Sequence, residues 1–144
     1  MKYKTITAEL LKAIRRNGRS PLYTTDDEFV YITSYGCVLY KIPIDKIEIN
    51  LNRCNICLNG NDLKDHLSAT AFPAEPTGKE SQCEAGTAIE LSDGFSNAWY
   101  NKDLIKAFDK PGFAITGSKR PILIYEKDIV VGCVLPLREE LLLI

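Results

Sequence analysis

The tetrapeptide Gly36-Cys37-Val38-Leu39 returns near the other end of the chain as Gly132-Cys133-Val134-Leu135. The surroundings of the two copies are also alike. The first runs on through Tyr40-Lys41-Ile42-Pro43-Ile44, and the second closes on Pro136-Leu137. Upstream of each lies a short basic stretch with amphipathic helical spacing, Thr7 to Gly18 and Asn101 to Lys110. From Thr7 to Pro43 is 36 positions, and from Asn101 to Pro136 is 35. The pattern predicts an α+β domain of two similar halves, about 1–60 and 87–138. Each half has one short helix packed on mainly antiparallel strands.

Outward from the repeat, the local signals are mostly those of strands. Thr7 is a plausible N-cap, with Leu10, Leu11 and Ile14 on the apolar side of the first helix and Gly18 as its stop. Residues 2–6 alternate and predict a short strand. Leu22 to Thr25, Phe29 to Thr33 and Cys37 to Ile42 are rich in β-branched and aromatic residues, and Asp26-Asp27-Glu28 and Tyr35-Gly36 read as turns between them. Ile47 to Leu51 and Ile56 to Leu58 read as further strands, with Asn59 to Asp62 as a turn. Residues 68–86 are dominated by Ser, Thr, Ala, Pro, Gly and Glu without a period, which predicts a long loop between the halves. Beyond it come a strand at 87–91, a turn at Asp93-Gly94, the second helix capped by Asn101, and strands at 113–117, 121–126 and 129–137. In that second helix Leu104, Ile105 and Phe108 form the apolar side, while Lys102, Lys106 and Lys110 at i, i+4 and i+8 make one cationic stripe.

The chain has 144 residues, enough for one domain with a real core. A formal net charge of −1 excludes a generally basic nucleic-acid binder but leaves room for a local basic face. No apolar run approaches a membrane span, and the start carries no apolar signal segment, so the expected setting is cytoplasmic, with no membrane partner. The five cysteines lack framework spacing and are expected to be reduced, with Cys37 and Cys133 in the core. Cys54 and Cys57 have metal-ligand spacing, but only His66 and Cys83 stand near enough to complete a site, at unusual separations. No metal or cofactor is expected. His66 is the only histidine and has no motif around it, and the sequence lacks a Gly-rich phosphate loop, a nucleophile elbow and a His-Glu metal helix. A non-enzymatic protein is expected.

The order Ala98-Trp99-Tyr100-Asn101, a Leu-containing helix to Phe108, Phe113 to Gly117, Pro121 to Ile124 and Val134-Leu135-Pro136-Leu137-Arg138 resembles the last domain of the bacterial DNA polymerase sliding clamp. The resemblance implies a DNA-clamp-like domain. It also implies that the helices face duplex DNA without reading bases, through Lys12, Arg15 and Arg16 in one half and Lys102, Lys106 and Lys110 in the other. The closing strand, Leu135, Pro136, Leu137 and Arg138, would belong to an apolar pocket for short peptides of replication proteins. Bacterial clamps string several such domains in one chain. This chain, with one, would need about six copies head to tail to encircle a duplex, so a homo-oligomeric ring is part of the expectation. The alternative is a protein- or peptide-binding module on a clamp-like fold that does not encircle DNA. The tail past Arg138, Glu139-Glu140 followed by Leu141 to Ile144, would cover the core, fill the pocket or pair with a neighbour, and the glutamates read as solvated.

Overall fold

A computed structural model describes residues 1–16, 20–34, 36–57, 60–84 and 86–143. Helix α1 spans Tyr3–Arg15. Strands β1 (Leu22–Thr25), β2 (Phe29–Thr33) and β3 (Val38–Pro43) follow, then β4 (Asn55–Ile56) and the short helix α2 (Gly60–Asp65). The second part carries β5 (Phe72–Cys83), β6 (Gly86–Ser92), β7 (Asn97–Asn101), β8 (Gly112–Ile115), β9 (Ile122–Glu126), β10 (Ile129–Val134) and β11 (Leu142–Leu143). Ten strands follow one hydrogen-bonded order, β4-β1-β2-β3-β10-β9-β8-β5-β6-β7, and β11 adds to β5. The sheet is mixed, because β4 pairs with β1 in parallel while the other pairs are antiparallel.

The expectation of two similar halves, each with one helix on its strands, is overturned. The strands share one extended sheet, and the second helix is absent. Residues 102–105 form a single 3-10 turn instead. The capping signal was sound, since the Asn101 carboxamide oxygen accepts from the Asp103 N–H at 3.0 Å. What stops an α-helix is competition for its backbone groups. The Ala107 carbonyl accepts from Lys2 N–H at 2.7 Å, and the Asp109 N–H donates to Glu126 Oε2 at 2.6 Å. Glu126 takes the Asp109 N–H that a continuing helix would pair with the Ile105 carbonyl, and Pro111 has no N–H for the Ala107 carbonyl, which is satisfied by Lys2 instead.

The repeated tetrapeptide has a different role from the expected one. The two copies lie against each other across the β3–β10 pair, with Val38 opposite Val134 and Leu39 opposite Cys133. The Leu135 N–H donates to the Cys37 carbonyl at 2.9 Å and extends this contact by one residue. The resulting seam joins the N-terminal strands to the C-terminal ones. Cys133 is buried there, but Cys37 is exposed, against the expectation of a core residue.

Helix α1 starts before Thr7, so the short strand expected at 2–6 is helix instead. Ile6 lies on the same face as Leu10 and Ala13, and all three are buried. Extending the helix toward its N-terminus therefore adds to the apolar face. The stop expected at Gly18, the turn residues Tyr35 and Asn59, and Leu58 of an expected strand lie outside the described residues. Residues 60–65 form α2 in place of part of the expected turn, and residues 47–51 are not a strand.

The loop expected over 68–86 is replaced by β5, the longest strand among the described residues. It is mostly exposed, with only Ala74 and Cys83 buried along its length. An exposed strand needs no apolar alternation, so its composition resembles that of a loop. It is held by β8 at Phe72–Ala74, by β6 from Glu75 onward and by β11 at its end.

Both faces of the sheet are covered. On one, Ile6 and Leu10 pack with Val30, Ile32, Tyr40, Phe108 and Ile124. On the other, Tyr31, Leu39, Leu123 and Cys133 pack with Leu63 of α2. Asp26 ties the β1–β2 turn to this second layer. Its carboxylate accepts from the Glu28 and Phe29 N–H groups and from the Tyr31 hydroxyl, and Lys64 stands 3.4 Å away. These hydrogen bonds, the Glu28 amide first, hold its carboxyl well below the usual carboxylate range. A depressed pKa contributes stability above the unfolded value, and that stability is lost as pH falls toward the folded one. Asp26→Asn is therefore expected to have a lower thermal midpoint than wild type at pH 7. The gap should narrow progressively below about pH 4. Melting curves across that range test this, and a gap that does not change with pH would count against it.

Candidate functional site: a groove beside the closing strand

After β10 the chain leaves the sheet and turns back along the outer edge of β7. Leu137 N–H donates to the Trp99 carbonyl at 2.7 Å, and the two residues form an isolated antiparallel bridge. Pro136 offers no N–H to this edge, which helps keep the contact to a single bridge. A 3-10 turn at Glu139–Leu141 follows, its Leu141 N–H donating to the Arg138 carbonyl at 3.0 Å. The tail then pairs with β5, placing Leu142 opposite Cys83. Leu142 is buried with Cys83, Ala88 and Trp99, and Leu137 packs against them. Of the roles considered for the tail, covering a small core is the one observed.

This path leaves a groove of about 510 Å³ lined by Ala98 and Trp99, by Ser118 and Lys119, and by Leu135 through Glu140. Trp99 is 8% exposed, while Leu135 is 45% exposed. The groove therefore has a rigid aromatic wall and a presented aliphatic side chain. Lys119 comes from the β8–β9 turn, Arg138 from the closing segment, and Glu139 and Glu140 from the turn after it. All four residues expected at a peptide pocket, Leu135, Pro136, Leu137 and Arg138, line this one groove. Sequence reasoning did not select Trp99 or Lys119; Glu139 and Glu140, read as solvated, are exposed at the groove's edge. The only tryptophan in the chain, two residues before Asn101, was the available signal for the first.

The expected phosphate-contacting cations sit on two segments that share one core layer, where Ile6 and Leu10 join Leu104, Ile105 and Phe108. On α1, Lys4, Lys12 and Arg15 are exposed, and so is Arg16, which follows the helix with extended backbone. At about 100° per residue the three helical ones, Lys4, Lys12 and Arg15, fall within an arc of roughly 80°. They form no ion pair among the described residues. Glu9 is half-buried beside this arc and accepts from the Tyr40 hydroxyl at 2.5 Å. Lys102, Lys106 and Lys110 do not form the expected stripe, because no α-helix spaces them. Lys106 is 3.6 Å from Asp103, and Lys110 has a φ of 45° just before Pro111. His66 lies elsewhere, with Asp65, Thr116 and Arg120 around a pocket of about 300 Å³. Among the described residues no three His, Cys, Asp or Glu side chains gather as a metal set, and no helix is long and apolar enough to cross a membrane.

Comparison with protein-family models, with curated proteins and with solved structures gave no match to the chain.

Proposed function

We propose that the chain is a non-enzymatic interaction module that takes a short linear segment of a partner protein in the groove between Trp99 and Leu135–Glu140. The observation that carries this reading is the convergence of Leu135, Pro136, Leu137 and Arg138 on one groove with an aromatic wall. Its volume lies in the range of sites that bury most of a small ligand. The mixture of apolar walls with a few charges suits an apolar anchor flanked by polar residues, since anchors supply affinity and rim charges supply orientation. Selection of displayed random peptides on the folded protein tests the reading. Selected peptides should carry an aliphatic or aromatic anchor, and Leu135→Glu should weaken them at least tenfold, about 1.4 kcal/mol. Because Leu135 is half-exposed, the melting temperature should hardly change. If no peptide is selected whose binding responds to Leu135→Glu, the reading fails.

A second reading, non-specific contact with duplex DNA as in a sliding clamp, is supported by the one-sided cationic face of α1. Lys4, Lys12 and Arg15, with Arg16 just past the helix end, suit a phosphate surface that carries no base readout. Under this reading Lys12→Glu, Arg15→Glu and Arg16→Glu together should abolish binding at low salt. Single neutralisations should each reduce the salt slope by about 0.9. Absence of wild-type binding at low ionic strength would remove this reading and leave the first in place.

A further inference from the structure

The pocket around His66 forms where two turns meet. One follows α2 and supplies Asp65, His66 and Thr70, and the other joins β8 to β9 and supplies Thr116 and Arg120. The Thr116 hydroxyl donates to the Thr70 carbonyl at 2.6 Å and ties the two turns together. Within the first turn the Leu67 N–H donates to the Lys64 carbonyl at 2.9 Å, and the Ser68 N–H to the Asp65 carbonyl at 3.2 Å. In the second, Pro121 restricts the backbone of Arg120, the residue before it. The pocket shares no lining residue with the groove beside Trp99.

Its charged groups are not spent on one another. Asp65, His66 and Arg120 form no ion pair among the described residues, although a carboxylate and a guanidinium line the same pocket. The polar groups divide into two sets. Arg120, His66 and Thr70 supply donors. Asp65, when ionised, can only accept, and the Thr116 oxygen also accepts, because its proton is given to Thr70.

We propose that this pocket binds a small phosphomonoester that carries free hydroxyl groups, of the size of glycerol phosphate. The phosphate oxygens accept from Arg120, whose planar fork matches two oxygens at once, and from His66 and Thr70. The alcohol part supplies the hydroxyl protons that Asp65 and Thr116 accept. Asp65 therefore sets the selectivity. It repels an anion without a donor, such as sulfate, and favours one that brings a hydroxyl. The volume of about 300 Å³ is at the lower end of small-molecule sites, which suits a ligand of this size.

His66 is the only histidine, so its imidazole signals report on the pocket without overlap from another ring. Those signals should be followed by NMR while the full chain is titrated with glycerol phosphate at neutral pH and constant ionic strength. The shift should saturate, with a dissociation constant of about 1 mM or tighter. Arg120→Ala should weaken binding at least tenfold, and Arg120→Lys should recover only part of it, because an ammonium lacks the fork. Sulfate should bind wild type at least tenfold more weakly than the ester, and Asp65→Asn should narrow that preference. Inorganic phosphate, without the alcohol part, should also bind more weakly than the ester. Asp65 and Arg120 are exposed, so the variants should melt with wild type. A shift that rises without saturating, one that sulfate or inorganic phosphate matches, or one unchanged by Arg120→Ala overturns the site.

Discussion

Gly132→Ala is expected to be the most damaging of the glycine-to-alanine changes among the described residues. An added Cβ at Gly132 would sit 2.3 Å from the Leu39 carbonyl oxygen and 2.9 Å from Phe108 Cζ. The first contact is with backbone in a paired strand, which cannot rotate away. Gly132 faces Tyr40 in the β3–β10 seam, so relief requires the seam itself to open. A cost on the order of 3 kcal/mol follows from overpacking against fixed atoms. The matching glycine of the first copy makes the control. A Cβ at Gly36 meets nothing within 4 Å, but its φ is +74°. Gly36→Ala should therefore cost about 1–2 kcal/mol, from left-handed backbone alone. Urea midpoints for the two variants test the difference, and equal midpoints would refute the packing account.

Phe108→Ala should cost about 3–5 kcal/mol, the usual range for removing a buried aromatic side chain. Phe108 is 4% exposed, and its ring centroid lies 5.4 Å from that of Tyr40. It also closes over Gly132, so the two predictions are coupled. Truncating Phe108 removes one of the two obstacles to a Cβ at position 132 but leaves the Leu39 carbonyl in place. The double variant should then be less destabilised than the sum of the singles, by about 0.5–1 kcal/mol. Strict additivity would show that the Phe108 ring is not part of the constraint.

The conflict between Gly36 and Gly132 also shows why the sequence repeat was a partial guide. Identical tetrapeptides carry their glycines for unrelated reasons, one for a backbone angle and one for the absence of a side chain. Their identity in sequence therefore did not amount to equivalent halves. The groove was more legible. The pattern Leu135-Pro136-Leu137-Arg138 was selected through its resemblance to the closing strand of the sliding-clamp domain, although the strand expected to run to 137 ends at Val134. Its walls could not be selected, because Trp99, Lys119 and Glu139 come together only through the path of the chain after β10.

By itself the sequence determined the strands near the repeat and the turns between several of them. Phe29 to Thr33 and Ile122 to Glu126 are β-branched and aromatic, and Asp26 and Asp93 have the short side chains that accept from amides two and three residues on. Those preferences act between neighbouring residues, so they can be read locally. The tertiary structure alone decided that 101–110 would not be a helix and that 72–83 would be a strand. In both segments the outcome depends on where backbone groups find partners. Lys2 and Glu126 capture the Ala107 carbonyl and the Asp109 amide, and β6, β8 and β11 hold β5. A hydrogen-bond partner far away in the chain leaves no period in the segment it captures. The helical spacing of Leu104, Ile105 and Phe108 was present in the sequence, but Glu126 takes the Asp109 amide and Pro111 offers no donor to the Ala107 carbonyl.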